Sequence, residues 1–200
     1  MGCLFHPAVH PVEGEVVAVA GISPPRFEVA RGRRCGRARG ARILLVPASH
    51  QEAAGREHLS REIGEVIRRT RQRGLGVDPG LVRAKDAIDD EQSHLLVIRS
   101  RWGELLGGLS YTFPDAATVR VDYIGFSVHR CGLGTRLMAA VAEIALHGNR
   151  EITLTAQKGA RGFFERLGMD LEEEYADGNC TFRFSPGNMR QLVDGVRRIP

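Results

Sequence analysis

The stretch His129-Arg130-Cys131-Gly132-Leu133-Gly134-Thr135 lies between a run that reads as a strand, Val119 to Val128, and one that reads as a helix, Thr135 to about His147. Gly132 and Gly134 let the backbone turn tightly and leave its N–H groups uncovered. With the positive end of the following helix dipole, those groups form an anion site suited to a pyrophosphate, and Arg130 adds a fixed charge. A Gly-x-Gly alone is a weak signal. The dinucleotide fingerprint needs a third Gly where Leu137 stands, and the Walker pattern needs a Lys-Ser or Lys-Thr pair where Thr135-Arg136 follows, so both are disfavoured.

Working outward, Leu137, Met138, Val141, Ile144 and Ala145 mark the buried face of the helix. Ile152 to Ala156 reads as a strand and Ala160 to Leu167 as a short helix capped by Gly168. Leu171 to Tyr175 and Thr181 to Phe184 read as a hairpin across Ala176-Asp177-Gly178-Asn179. Met189 to Arg198 is a terminal helix or a frayed tail. Upstream, Ile43 to Val46 reads as a strand stopped at Pro47. Ser49 to Arg73 reads as a helix with Leu59, Ile63, Val66 and Ile67 on one face. Leu95 to Ile98 and Leu105 to Phe113 form a hairpin over Arg101 to Glu104. The order predicts an α/β (α+β) fold: a mixed sheet with helices packed on its faces, not an all-parallel one.

The 200 residues suffice for one domain with a sizeable core. Residues 1–42 hold seven Arg and three Glu, which account for the whole net charge of +4. The basic character therefore sits in an Arg/Gly-rich arm, residues 1–41, whose composition predicts poor order, with one short strand possible at Glu15 to Ala20. The remaining division is a domain at 42–185 and a C-terminal helix or tail at 186–200. No apolar run approaches the roughly 20 residues needed to span a bilayer. Cys3, Cys35, Cys131 and Cys180 show no Cys-x-x-Cys pair, and no secretory signal pattern precedes them. Free thiols and a cytoplasmic setting are expected.

Roughly thirty residues beyond the first motif runs Gln157-Lys158-Gly159-Ala160-Arg161-Gly162-Phe163-Phe164-Glu165-Arg166-Leu167-Gly168-Met169. Together the two motifs resemble the GNAT (N-acetyltransferase) superfamily. Its members carry a Gln/Arg-x-x-Gly-x-Gly/Ala turn before a helix, then a helix of the type Asn-x-x-Ala-x-x-Phe-Tyr-Glu-Lys-Leu-Gly-Phe after the next strand. Ala160, Phe163, Glu165, Leu167 and Gly168 match directly. The resemblance covers roughly residues 42–185.

The resemblance implies a mostly antiparallel sheet in which the strand around Ile124 splays from a parallel partner at 152–156. A pantetheine arm would lie in that gap, paired with backbone at Ile124 to Phe126. The implied cofactor-binding residues are Ile124, Phe126, His129, Arg130, Cys131, Gly132, Leu133, Gly134, Thr135, Gln157 and Phe164. The implied activity is acyl transfer from acetyl-CoA to a primary amine in a ternary complex, with no metal. Three departures stand out. His129 occupies a Gln/Arg position and Gln157 an Asn position. Phe164 replaces a Tyr that often protonates the departing thiolate, and phenylalanine has no proton to give.

The family often carries a base near position 118, which here is Thr118. Asp122 is the candidate catalytic base, read as sharing a strand face with Ile124 and Phe126; a hydrogen-bonded strand carboxylate is the alternative. Cys131 beside His129 could suggest a nucleophile, but the Gly turn already explains the region. Asp86, Asp89, Asp90 and Glu91, with Glu172, Glu173, Glu174 and Asp177, could form a negative rim that attracts a cationic acceptor, either a small molecule or a peptide amine. Solvated surface charge is the commoner explanation. Cys3, His6, His10 and Cys35 match no standard zinc spacing. The Arg cluster could contact nucleic acid, though a disordered tail is the plainer reading. Neither a membrane nor nucleic acid is the expected partner, and a monomer or homodimer is expected. A non-catalytic acyl-CoA-binding module of the same fold is the rival reading.

Overall fold

A computed structural model describes residues 41–46, 61–62, 92–126 and 131–197. The expected strand at Glu15 to Ala20 lies outside them, as does all but residues 61–62 of the expected helix at Ser49 to Arg73. The described elements are β1 (Arg42–Val46), β2 (His94–Arg99), β3 (Leu105–Thr112), β4 (Thr118–Phe126), α1 (Leu133–His147), β5 (Glu151–Ala156), α2 (Arg161–Arg166), β6 (Asp170–Glu174), β7 (Cys180–Phe184) and α3 (Pro186–Arg197). A short 3-10 turn, Lys158–Ala160, leads into α2.

The strands form one seven-stranded sheet in the order β1-β2-β3-β4-β5-β7-β6. Every neighbouring pair is antiparallel except β4 and β5. The chain makes that parallel step through α1, as a crossover between parallel strands must. The continuous apolar run Leu95 to Ile98 and the fully buried β3 show that the middle of the sheet is covered on both faces. β4 instead alternates, with Val119 and Val121 buried and Arg120 exposed. At the far edge every residue of β6 is exposed.

The core lies between the sheet and α1. Leu137, Met138, Val141, Ala142 and Ala145 are fully buried against Ile98, Leu106, Val119, Ile152 and Phe182. Small residues at 139, 140 and 142 let the helix approach the strands closely. α3 packs across α1 and buries Met189, Val193 and Val196. Cys131 and Cys180 are buried free thiols.

Several boundaries differ from the sequence reading, two of them near the glycine bend and α2. α1 begins at Leu133, two residues before the expected start, because Gly132 adopts φ +71 and serves as its N-cap. The helix expected at Ala160 to Leu167 divides into the 3-10 turn and α2. Gly168 ends it at φ +82, the left-handed conformation a glycine cap supplies.

Candidate active site

Two structural breaks coincide on β4. The first is a parting of strands. The β4–β5 ladder pairs Thr118 with Glu151, Val119 with Ile152, Arg120 with Thr153 and Val121 with Leu154, and ends there. Yet β4 continues to Phe126, held by β3, and β5 continues to Ala156, held by β7. Beyond Val121 and Leu154 the two strands therefore no longer pair with each other.

The second break is a bulge. On β3, Ser110 and Tyr111 are consecutive, but their partners on β4 are Tyr123 and Val121, leaving Asp122 as the extra residue. A bulge re-aims side chains. Ile124, opposite Leu109, stays with the core face of Val119 and Val121 and packs against the core, as does Phe126. Asp122 sits with Arg120 on the other face. The expectation that Asp122 shares a face with Ile124 and Phe126 is thereby corrected: strict alternation fails where the strand gains a residue.

Both carboxylate oxygens of Asp122 are engaged. Arg120 Nε donates to Oδ1 at 2.6 Å and Thr112 Oγ1 donates to Oδ2 at 3.0 Å. The pair borders a cleft of about 230 Å³ at the strand fork. Across it stand Thr153, Thr155 and Gln157 from the β5 side, with Asn179 and Thr181 beyond. The structure thus brings the sequence-predicted Asp122 and Gln157 to one cleft.

The start of α1 lies on the core side. Its N-cap, Gly132, provides no side-chain cap, and its first turn holds no acidic residue. Gly132 is exposed, and a Cβ there would meet nothing within 4 Å among the described residues. Gly134 is flanked by aromatic rings: an added Cβ would fall 2.8 Å from Phe163 and 3.2 Å from Phe126. Thr135 is half-buried, whereas Leu133 and Cys131 are buried in the core. Burial of Cys131 leaves a nucleophilic role without access. One turn in, buried Arg136 donates to the Ala41 carbonyl at 3.3 Å, tying the helix start to β1. His129 and Arg130 lie outside the described residues.

Phe164 is buried, with its ring against Phe163 and Phe182 at centroid distances of 4.9 and 5.7 Å. It forms part of the core and does not line the cleft. Its neighbour Phe163 is the ring beside Gly134, which the sequence reading did not single out. Arg120, Thr112 and the three threonines of the cleft were also missed. Their signal is the alternation along β4 and β5, which marks an outer face without marking a site.

Two glutamates of the acidic rim are ion-paired. Glu174 pairs with Arg161 at 2.7 Å, and Glu172 lies 3.8 Å from Arg183, which also grips Glu151 at 2.7 Å. Asp177 accepts from the Asn179 backbone within its own turn. The acids at 86 and 89–91 fall outside the described residues, as do Cys3, His6, His10 and Cys35. Among the described residues no three His, Cys, Asp or Glu side chains gather as a metal set. No described helix is long and apolar enough to cross a membrane.

The forked parallel pair, the crossover helix and the glycine bend define an acyltransferase-type fold. The model of the acetyltransferase (GNAT) family matches residues 62–169. The chain belongs to that family. Among curated proteins, none matches the sequence. Solved structures do. A GNAT-family protein from Desulfovibrio desulfuricans is 18% identical with a TM-score of 0.56, covering 72% of this chain and 99% of its own. An acyl-CoA N-acyltransferase from Pseudomonas aeruginosa is 18% identical at 0.53, with the same coverages of 72% and 99%. The catalytic domain of the Tetrahymena GCN5 histone acetyltransferase, in complex with coenzyme A, is 16% identical at 0.54, covering 73% and 93%. At such identities the likeness establishes the fold.

Proposed function

We propose that this chain is an N-acyltransferase moving an acetyl or short acyl group from acetyl-CoA to a primary amine by direct attack. The observation that carries the reading is the end of the β4–β5 ladder at Val121 and Leu154, beside a helix start whose N-cap is a glycine with no side-chain cap. The edge of β4 beyond Val121, no longer paired with β5, suits an extended pantetheine arm, which would continue the ladder there. The N–H groups of residues 131–135, with His129 and Arg130, would hold the pyrophosphate. The open space above Gly132 supports that fit, since a phosphate can approach its backbone.

Attack forms a C–N bond and breaks the thioester C–S bond; the amine gives up one proton and the departing sulfur takes one. A backbone N–H of β4 would stabilise negative charge on the thioester oxygen. Asp122 is the proposed base, oriented by Thr112 and Arg120. Phe164 cannot return the proton, so water or another group does so. The rival, a non-catalytic acyl-CoA-binding module, draws support from the burial of Phe164 and from the two donors already on Asp122.

Thiol release across a panel of primary amines separates the two readings. Turnover supports the enzyme; acetyl-CoA binding without turnover supports the module. Acetyl-CoA should also raise the melting temperature, and Gly134→Asp should abolish the shift by placing charge and bulk at the helix start. No shift at millimolar acetyl-CoA would overturn both.

A further inference from the structure

Among the described residues, those lining the cleft at the fork include one cation and one anion. Arg120 and Asp122 come from the same face of β4, and their side chains meet at 2.6 Å. The rest of the described polar lining is neutral: threonine hydroxyls at 153, 155 and 181, and the amides of Gln157 and Asn179.

Charge balance selects among acceptors. A polycation would meet the guanidinium of Arg120 as well as the carboxylate. A multiply anionic molecule would meet Asp122. A simple amine leaves Arg120 with nothing to do but hold Asp122. An amine that also bears a carboxylate matches both groups, since its ammonium suits Asp122 and its carboxylate offers Arg120 a bidentate partner. The exchange is easy to make. The Arg120 side chain is 53% exposed, and an exposed ion pair of this kind contributes little to stability. The Asp122 side chain, in contrast, is 19% exposed and is anchored by Thr112, so the carboxylate stays while the arginine can turn.

Size narrows the class. A cleft of about 230 Å³ lies below the roughly 300–1,000 Å³ of sites for drug-sized ligands. It suits one free amino acid, not a polypeptide segment of several residues.

We infer that the acyl acceptor is a small zwitterion, a free amino acid, with Arg120 binding its carboxylate and Asp122 facing its amine. This rests on the acyltransferase reading above and specifies the substrate class of the same site. Arg120 is a specificity-determining residue here.

The test uses the full chain and matched acceptors: serine, serinamide and ethanolamine; lysine, lysinamide and cadaverine. Two readouts are taken, thiol release with acetyl-CoA and thermal stabilisation by each acceptor in the presence of CoA. The expected kcat/KM ratio of amino acid to its amide or decarboxylated counterpart is about tenfold or more, the scale of a lost charge-assisted contact. That ratio should collapse toward one in Arg120→Gln and recover in part in Arg120→Lys. Turnover of amines with no preference for the carboxylate overturns the inference and leaves the acyltransferase reading intact. A preference that survives Arg120→Gln also overturns it. If no amine is turned over but amino acids alone stabilise the chain, and Arg120→Gln removes that effect, the binding inference holds and the catalytic reading falls. Neither turnover nor stabilisation defeats both.

Discussion

Val121 and Leu154 are the last residues to face each other across the parallel pair β4–β5, and the two strands part immediately beyond them. On β4 the parting coincides with the bulge at Asp122, which turns that carboxylate to the outer face while Ile124 and Phe126 remain on the helix side. The fork and the bulge together put one acidic side chain at the mouth of a gap between strands.

Asp122→Asn should lower kcat for amine acylation by about 10²-fold or more, the usual scale for losing a positioned base. Stabilisation by acetyl-CoA should persist, because the residue lies on the face away from the α1 N-terminus. Thr112→Val, which deletes the hydroxyl donor at 3.0 Å, should lower kcat less. Steady-state thiol release checks both; an Asp122→Asn protein of undiminished kcat would remove the residue from the chemistry.

Gly132 and Gly168 make a matched pair. Both sit at positive φ, +71 and +82, and a methyl group added to either would meet no atom within 4 Å. Alanine at either should cost about 1–2 kcal/mol through backbone conformation alone. Only Gly132→Ala should also weaken acetyl-CoA stabilisation. Urea unfolding gives the first quantity and ligand-dependent melting the second; equal ligand effects in the two variants would contradict the assignment of the bend.

Core truncations should separate sharply from edge truncations. Leu137→Ala, at a fully buried position on α1, should cost about 2–5 kcal/mol, and Phe182→Ala about 3–5. Leu171→Ala, at a position 40% exposed on β6, should stay within about half a kcal/mol. Denaturant midpoints at constant m decide the comparison.

His94 predicts a pH dependence. Its ring stacks on Tyr111 at 5.2 Å and meets Phe113 edge-on at 5.1 Å, and burial holds its pKa below the ordinary 6.5. Between the two values the unfolded chain binds more protons, so this contribution is complete above about pH 6.5 and declines as pH falls through that window. His94→Phe should flatten the decline. The check is the urea midpoint of both proteins at about pH 8 and about pH 5; parallel losses would discount the histidine.

Most of the sheet was legible because its strands are apolar runs bounded by turn residues. The β2–β3 hairpin and the β6–β7 hairpin both emerge from such punctuation, and the parallel step follows from a helix between two strands. The glycine bend was legible because few residues other than Gly tolerate its backbone. What was hidden depends on pairing. The bulge at Asp122 has no glycine to announce it and arises from how β4 registers against β3, so alternation carried Asp122 to the wrong face. The choice between Phe163 and Phe164 likewise depends on the angle at which α2 meets β7, where Phe182 claims the second ring. Nothing in the sequence marks Arg120; it is the fork that gives it a cleft to border.

The glutamates of β6 bear on how copies of this chain behave toward one another. β6 forms the outer margin of the sheet, and Glu172, Glu173 and Glu174 all face water there. An exposed strand margin is a template for pairing with another chain, and crowded like charges discourage it. Sheet-to-sheet polymerisation through this margin is thus opposed at neutral pH, and neutralising the three together, as Gln, should make concentrated solutions of the protein more prone to precipitate.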